Sequence, residues 1–234
     1  MVLQDESRVG GEAIEGLGMS KQADASGNGG RRTRYHHGDL RDALLKAAEQ
    51  ELADKGIEAF TLRGVARRAG VSHAAPAHHF RDTNDLLTAL VDVAMQRFAT
   101  ALRQSEARAG DDPRERFIAS GIAYVEFALA NPALFDLIFS SKRPDFDDPE
   151  LNRHAADAFE TLAGGIAAMR GQDPMMSSKG RAEVAAGWSL VHGMATLLIA
   201  GRMKFLAGDL AVDREAVLRR LVAGAAPSPS TSAD

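Results

Sequence analysis

The chain has 234 residues, 45% of them hydrophobic and 26% charged, a globular composition that excludes disorder throughout and leaves room for one large domain or two small ones. It contains no cysteine, which excludes a disulfide scaffold, a thiolate metal site and a cysteine nucleophile. Its formal net charge of −4, taken as an average, argues against a nucleic-acid partner.

Residues 1–30 are rich in Gly, Ser and acidic side chains and end in Ser26-Gly27-Asn28-Gly29-Gly30, so they read as a disordered extension. They hold no basic start followed by an apolar run of about 7–15 residues, so no secretory signal is expected and a cytoplasmic setting is. Arg31, Arg32 and Arg34 precede the first helix and can form an arm reaching phosphates or the minor groove of DNA. From about Asp39, the residues Leu40, Leu44, Ala47, Ala48 and Leu52 keep helical spacing, and Gly56 marks the stop. Thr61 is placed to cap a second helix, with Leu62, Val65, Ala66 and Ala69 on one face. Gly70 supplies the positive φ of a turn, and Ser72 is placed to cap a short third helix ending near His79-Phe80. Asp82 or Thr83 caps a fourth helix, which carries Leu86, Leu87, Leu90, Val91 and Ala94 and runs to about residue 106. Pro113 opens a fifth, and Asn131-Pro132 separates it from a short sixth. Further helices are expected over 148–170, 178–206 and 213–223, followed by a disordered tail at 225–234. No period-two cluster of Val, Ile and Thr reads as a strand, so the expected fold class is all-α.

Two short helices meeting at a tight corner over residues 61–80 form the helix-turn-helix arrangement, whose second helix enters the major groove of DNA. The run Tyr35-His36-His37-Gly38-Asp39-Leu40-Arg41 opens the helix before it, and His79-Phe80 leads into Asp82 and a leucine-bearing helix. Over about residues 36–98 this resembles the N-terminal domain of the TetR/AcrR family of bacterial transcriptional regulators, closest to members that carry Ser-His-Ala-Ala-Pro, here Ser72 to Pro76, in the recognition helix. Trp188, His192 and Gly193 form a Trp-x3-His-Gly element that resembles the effector domain of the same subset. The resemblance implies a DNA-binding domain over 31–82, with its motif at 61–80, and a helical ligand-binding and dimerisation domain over 83–224.

In that family pattern Thr61 meets a phosphate at a helix N-terminus; Arg63, Arg67 and Arg68 lie on the same helix and are expected to add backbone contacts. Ser72, His73, Ala74 and Ala75 face base edges, where imidazole can donate or accept and alanine suits a thymine methyl. The chain departs from the pattern at Ala77, where the family usually has tyrosine, and at Thr83, where it usually has lysine. His78 and His79 are expected to replace part of that contact. Five of the seven histidines lie in residues 36–79, so operator affinity is expected to rise as pH falls through the histidine range.

In the C-terminal half, Phe117, Tyr124, Phe127, Trp188 and His192 are the candidate ligand-binding residues. Phe135, Phe139, Phe159 and Met169 are its other large side chains, and all of these also suit an ordinary core. The resemblance implies a small, largely apolar effector. From Val184 to Gly201 no residue is charged, a length that touches the threshold of a membrane span, but its glycines with Ser189, His192 and Thr196 fit a helix buried on both sides better. Ala185, Ala186, Ser189, Gly193, Ala200 and Gly201 offer a small-residue face to a partner subunit. The resemblance implies a homodimer through 178–206 and 213–223, with Leu210, Val217, Leu218 and Leu221 as the apolar stripe of the second helix.

No His-Glu-x-x-His, phosphate-binding Gly loop or Gly-x-Ser-x-Gly is present, so no enzyme is expected. Adjacent histidines on a helix diverge by about 100°, so neither His36-His37 nor His78-His79 is expected to hold a metal, and no cofactor is implied. The expectation is a ligand-responsive repressor on double-stranded operator DNA, released when the connecting helix is displaced. The alternative, motivated by Ala77 and Thr83, is a dimer of the same fold with weakened or lost specific DNA binding. Charge distribution accommodates the first reading: residues 31–81 hold ten Lys and Arg against six Asp and Glu, a local +4.

Overall fold

The computed structural model describes residues 37–224 and residue 226. The expected extension at 1–30, the arm residues Arg31, Arg32 and Arg34, and nearly all of the expected tail lie outside the described residues. The described residues are helical and contain no strand: α1 (His37–Lys55), α2 (Leu62–Arg68), a 3-10 turn (Ala75–His78), α3 (Thr83–Arg108), α4 (Pro113–Ala130), α5 (Pro132–Phe139), α6 (Pro149–Arg170), α7 (Ser178–Ile199), α8 (Ala207–Val212) and α9 (Arg214–Ala223).

Most of these boundaries follow from local chemistry. Side-chain oxygens of Thr61, Asp82, Asp112, Asp148, Ser177 and Asp213 accept from N–H groups in the first turns of α2, α3, α4, α6, α7 and α9, each cap contributing about 1 kcal/mol. Proline opens α4, α5 and α6, where its missing N–H costs nothing. Asp82 rather than Thr83 caps α3, which extends to Arg108, two residues beyond the expected end.

The fold departs from the sequence expectation at two places. The recognition element is a single 3-10 turn, not an α-helix. Pro76 brings no N–H, and the bonds through the turn fall at three-residue spacing, Ala75 to the Ser72 carbonyl, Ala77 to Ala74 and His79 to Pro76, with one four-residue bond, Phe80 to Pro76, closing it. Ser72 therefore accepts through its carbonyl and does not cap with its hydroxyl. The expected single helix over 178–206 stops at Ile199, because Gly201 sits at φ +63, a left-handed conformation that terminates helices. Leu210 consequently lies on the separate α8.

Helix α3 is the spine, packed on α4 and α6 and also on α1 and α5. The core runs without a break from Leu44 and Leu52 of α1 through Val65, Leu86, Leu90 and Phe98 to Ile118, Leu137, Val191 and Leu218. It therefore crosses the boundary expected at residue 82. Val217, Leu218 and Val222 of α9 are spent on this core, against α4, where Gly121 leaves room: a Cβ there would meet Val222 Cγ1 at 2.6 Å. Arg219 pairs with Glu115, and Arg114 donates to the Ala223 carbonyl at 3.2 Å, fixing α9 to α4. The stripe expected to join a partner thus faces the chain's own interior. By length and composition α7 would qualify to cross a membrane, yet Val184, Gly187, Val191, Met194 and Ala195 are buried within the bundle.

Candidate functional site

The corner at residues 61–80 is built on Gly70, whose φ of +70 lets the chain reverse after α2 without the Cβ strain of another residue. Thr61 Oγ1 accepts from Gly64 N–H at 3.0 Å. Arg63 and Arg67 project into solvent. Arg68 is exposed too but engaged: it meets Glu51 at 3.0 Å and Asp54 at 2.7 Å, and its hydrogen bond to Glu51 holds its pKa above the ordinary value. Glu51 is buried, and a Cβ on Gly64 would lie 2.3 Å from its Oε1. The Glu51–Arg68 pair thus locks α2 onto α1.

Beyond the corner, Ser72, His73, Ala74, Ala77 and His78 are exposed and Ala75 is half-buried, while Thr61 and Arg63 are exposed at the start of α2. His79 departs from the sequence expectation. It is half-buried with Nε2 sealed from solvent and unpaired, its ring tilted on Phe80 at 6.3 Å, and it lines a polar cleft with Arg41, Asp85 and Asp92 behind the turn. Its neighbour Phe80 is buried, and that anchor draws His79 inward. Thr83, half-buried, is the first residue of α3.

The second feature is a partly open cavity of about 180 Å³ between α3, α4, α5, α6 and α7. Phe117, Tyr124 and Trp188 line it, as the sequence suggested, and so do Phe139 and Phe159. Phe127 does not; it packs beside Phe98 at 5.0 Å between ring centroids. His192 stands behind the wall. Trp188 Nε1 donates to Tyr124 Oη at 3.3 Å, leaving the phenol proton free to donate to His192 Nδ1 at 2.9 Å. Burial raises the Tyr124 pKa and lowers that of His192, so both are neutral near pH 7.

Sequence reasoning missed the contribution of α3. Met95, Phe98 and Leu102 line the cavity; their spacing of three, four and seven residues was a signal, but one shared with any core-facing stripe. All residues lining the cavity are uncharged, and the hydroxyls of Ser120 and Thr161 donate to carbonyls of their own helices. Such a chamber suits a neutral, apolar occupant. An apolar cavity of about 150 Å³ takes a benzene ring, so one ring is the right scale.

Two family models match the chain: residues 44–90 match bacterial regulatory proteins of the tetR family, and residues 117–225 match a tetracyclin repressor-like C-terminal domain. The chain is similar to an HTH-type transcriptional regulator BetI of Stenotrophomonas maltophilia, 33% identical over 79 residues, which is 34% of this chain and 40% of that one. It is also similar to a regulator of the same name from Yersinia pestis, 27% identical over 114 residues, 48% of this chain and 58% of that one. The matches thus span about half the length of these curated relatives. Among solved structures, one from Rhodococcus sp. RHA1, described as of unknown function, superposes with a TM-score of 0.64 at 30% identity, covering 84% of this chain and all of that one. The TetR family transcriptional regulator PfmR of Thermus thermophilus shares the fold, with a TM-score of 0.54 at 19% identity over 65% of this chain and 84% of that one. With the helix-turn-helix half and the cavity-bearing half each matched in turn, the chain belongs to the TetR family of transcriptional regulators.

Proposed function

We propose that this chain is a homodimeric, cytoplasmic repressor that binds double-stranded operator DNA through the 61–80 corner and releases it when a small neutral ring compound fills the aromatic cavity. The observation that carries the reading is the cavity itself: an uncharged chamber walled by α3, the helix that also anchors the recognition corner. On the DNA side, Thr61, Arg63, Ser72, His73, Ala74, Ala75 and His78 are the proposed contacts, joined by the arm residues Arg31, Arg32 and Arg34; Thr83 is kept at the edge of that surface. His79 contributes by shaping the turn. In the cavity, Phe117, Tyr124 and Trp188 are the proposed contacts, with His192 orienting Tyr124.

Toluene is a suitable probe, and Trp188, the single tryptophan of the chain, reports its entry by fluorescence. With a DNA fragment recovered from a random pool by the full chain, saturating toluene is expected to weaken binding 5–150-fold, the range of ordinary allosteric coupling. Unchanged DNA affinity with toluene bound would end the ligand-release reading. A second reading, a dimer without specific DNA binding, is favoured by the engagement of Arg68 with Glu51 and Asp54 and by the uncharged Ala77 and Thr83. Failure to recover any fragment at low salt would select it.

A further inference from the structure

The cavity and the recognition corner are joined by α3, but a second connection runs through the loop Ser140–Asp148. This loop leaves the cavity wall directly: Phe139, the last residue of α5, lines the chamber and packs on Tyr124 and His192 at 6.2 and 5.0 Å between ring centroids. Four residues later Arg143 reaches across to the DNA-binding half. Its Nη1 donates to the Ile57 carbonyl in the α1–α2 turn at 2.8 Å, and its Nε donates to Asn84 Oδ1 in the first turn of α3 at 3.3 Å. Two residues further on, the Asp145 N–H donates to Thr88 Oγ1 at 2.8 Å, while that buried hydroxyl donates to the Asn84 carbonyl. Pro144, buried between these anchors, fixes the path.

The choice of partners is informative. Among the described residues no carboxylate pairs with Arg143; its guanidinium is spent on neutral acceptors, one just beyond the C-terminus of α1, where helix carbonyls favour a cation. Such bonds hold a position without the depth of a buried ion pair, so they can be exchanged when the loop shifts. Resting on the ligand-release reading above, we propose that residues 140–148 form a strap that transmits cavity occupancy to the recognition corner, with Arg143 as its positioning residue. An occupant that displaces Phe139 moves Arg143 against both the α1–α2 turn and the start of α3. These two elements flank the recognition turn, and a relative shift between them changes its presentation to DNA. Interiors are close-packed and shift between discrete arrangements, so a short covalent link from wall to turn is an effective lever.

The test is a cycle in the full chain. Ala158 lines the cavity from α6, and Ala158→Phe fills it without a ligand; toluene, followed by Trp188 emission, fills it independently should that variant fold poorly. DNA affinity is measured with the cavity empty and filled in the wild type, Arg143→Ala, Arg143→Lys and Thr88→Val. Filling is expected to weaken DNA binding 5–150-fold in the wild type and less than about 2-fold in Arg143→Ala and Thr88→Val, with Arg143→Lys intermediate because one donor can still reach Ile57. Toluene affinity is expected to be the same in Arg143→Ala as in the wild type, a result that loss of folding would not give. Equal weakening in all four proteins overturns the strap and leaves the ligand-release reading standing. No weakening in the wild type with the cavity demonstrably filled overturns both.

Discussion

Tyr124 sits where a hydrophobic wall meets its polar support. Its ring faces Phe98 edge-on at 5.0 Å, and its hydroxyl is shared between Trp188 and His192. The His192 ring packs against Tyr124, Phe135 and Phe139, none of which can stabilise an imidazolium by charge. Desolvation accordingly lowers the His192 pKa from 6.5. Above pH 6.5 both folded and unfolded chains hold this ring neutral and its contribution to stability is complete. As pH falls below that value the unfolded chain takes up the proton first, so stability declines until the folded ring protonates too. His192→Gln is expected to show a smaller fall in Tm between pH 7.5 and pH 5.5 than the wild type. Equal slopes would mean that His192 is not desolvated in the folded protein. The histidines at 73 and 78 are exposed, whereas His79 holds its Nε2 sealed behind the turn.

At the level of single helices, α7 is held at its start by an unusually close approach. A Cβ on Gly180 would lie 2.1 Å from the Pro174 carbonyl oxygen and 2.6 Å from its Cα. These are backbone atoms and cannot yield as a side-chain end does. Gly180→Ala gains about 1 kcal/mol of helix propensity but must displace the 174–176 turn, at an overpacking cost of about 1–3 kcal/mol. A lower Tm in thermal melts is expected; a higher one would show that the turn moves freely. The start of α7 is readable from Ser177, and those of α2, α3, α4 and α6 from Thr61, Asp82, Pro113 and Pro149, because caps act over three residues. Less readable are features that depend on geometry or on neighbours distant in sequence. Pro76 signals one lost helix bond, but not the collapse of the whole recognition element to one 3-10 turn. Gly201 is the last residue of the uncharged run, and nothing in its immediate sequence fixes its left-handed φ. Phe127 and Phe139 look alike as sequence, and only the packing of α5 against α4 decides which faces the chamber. Arg143 carries no pattern at all, since its acceptors lie 86 and 59 residues away.

For the molecule as a whole, the face of α7 opposite its buried side is apolar and exposed: Ala185, Ala186, Ser189 and Ala200 are accompanied by Leu197 at 46% and Ile199 at 39% exposure. Because the apolar residues of α9 are already buried at home, the proposed homodimer draws its contact chiefly from α7. Leu197→Glu places a charge on that face and is expected to convert a dimer to a monomer in light scattering. A protein that remains dimeric would place the interface elsewhere. A two-fold dimer is also what brings two recognition turns to successive major grooves, roughly 34–36 Å apart, so the same variant is expected to lose DNA affinity.

The unbroken core from α1 to α9 also bears on how such a regulator is re-engineered or diversified. Helix α1, nominally part of the DNA-binding half, packs on α5, which carries Phe139 of the cavity wall. Cutting the chain at Arg81 and grafting the cavity half onto a foreign recognition module would leave the α5 surface facing an unmatched helix. Successful chimeras must therefore exchange α1 and the 140–148 loop together, as one transplantable unit.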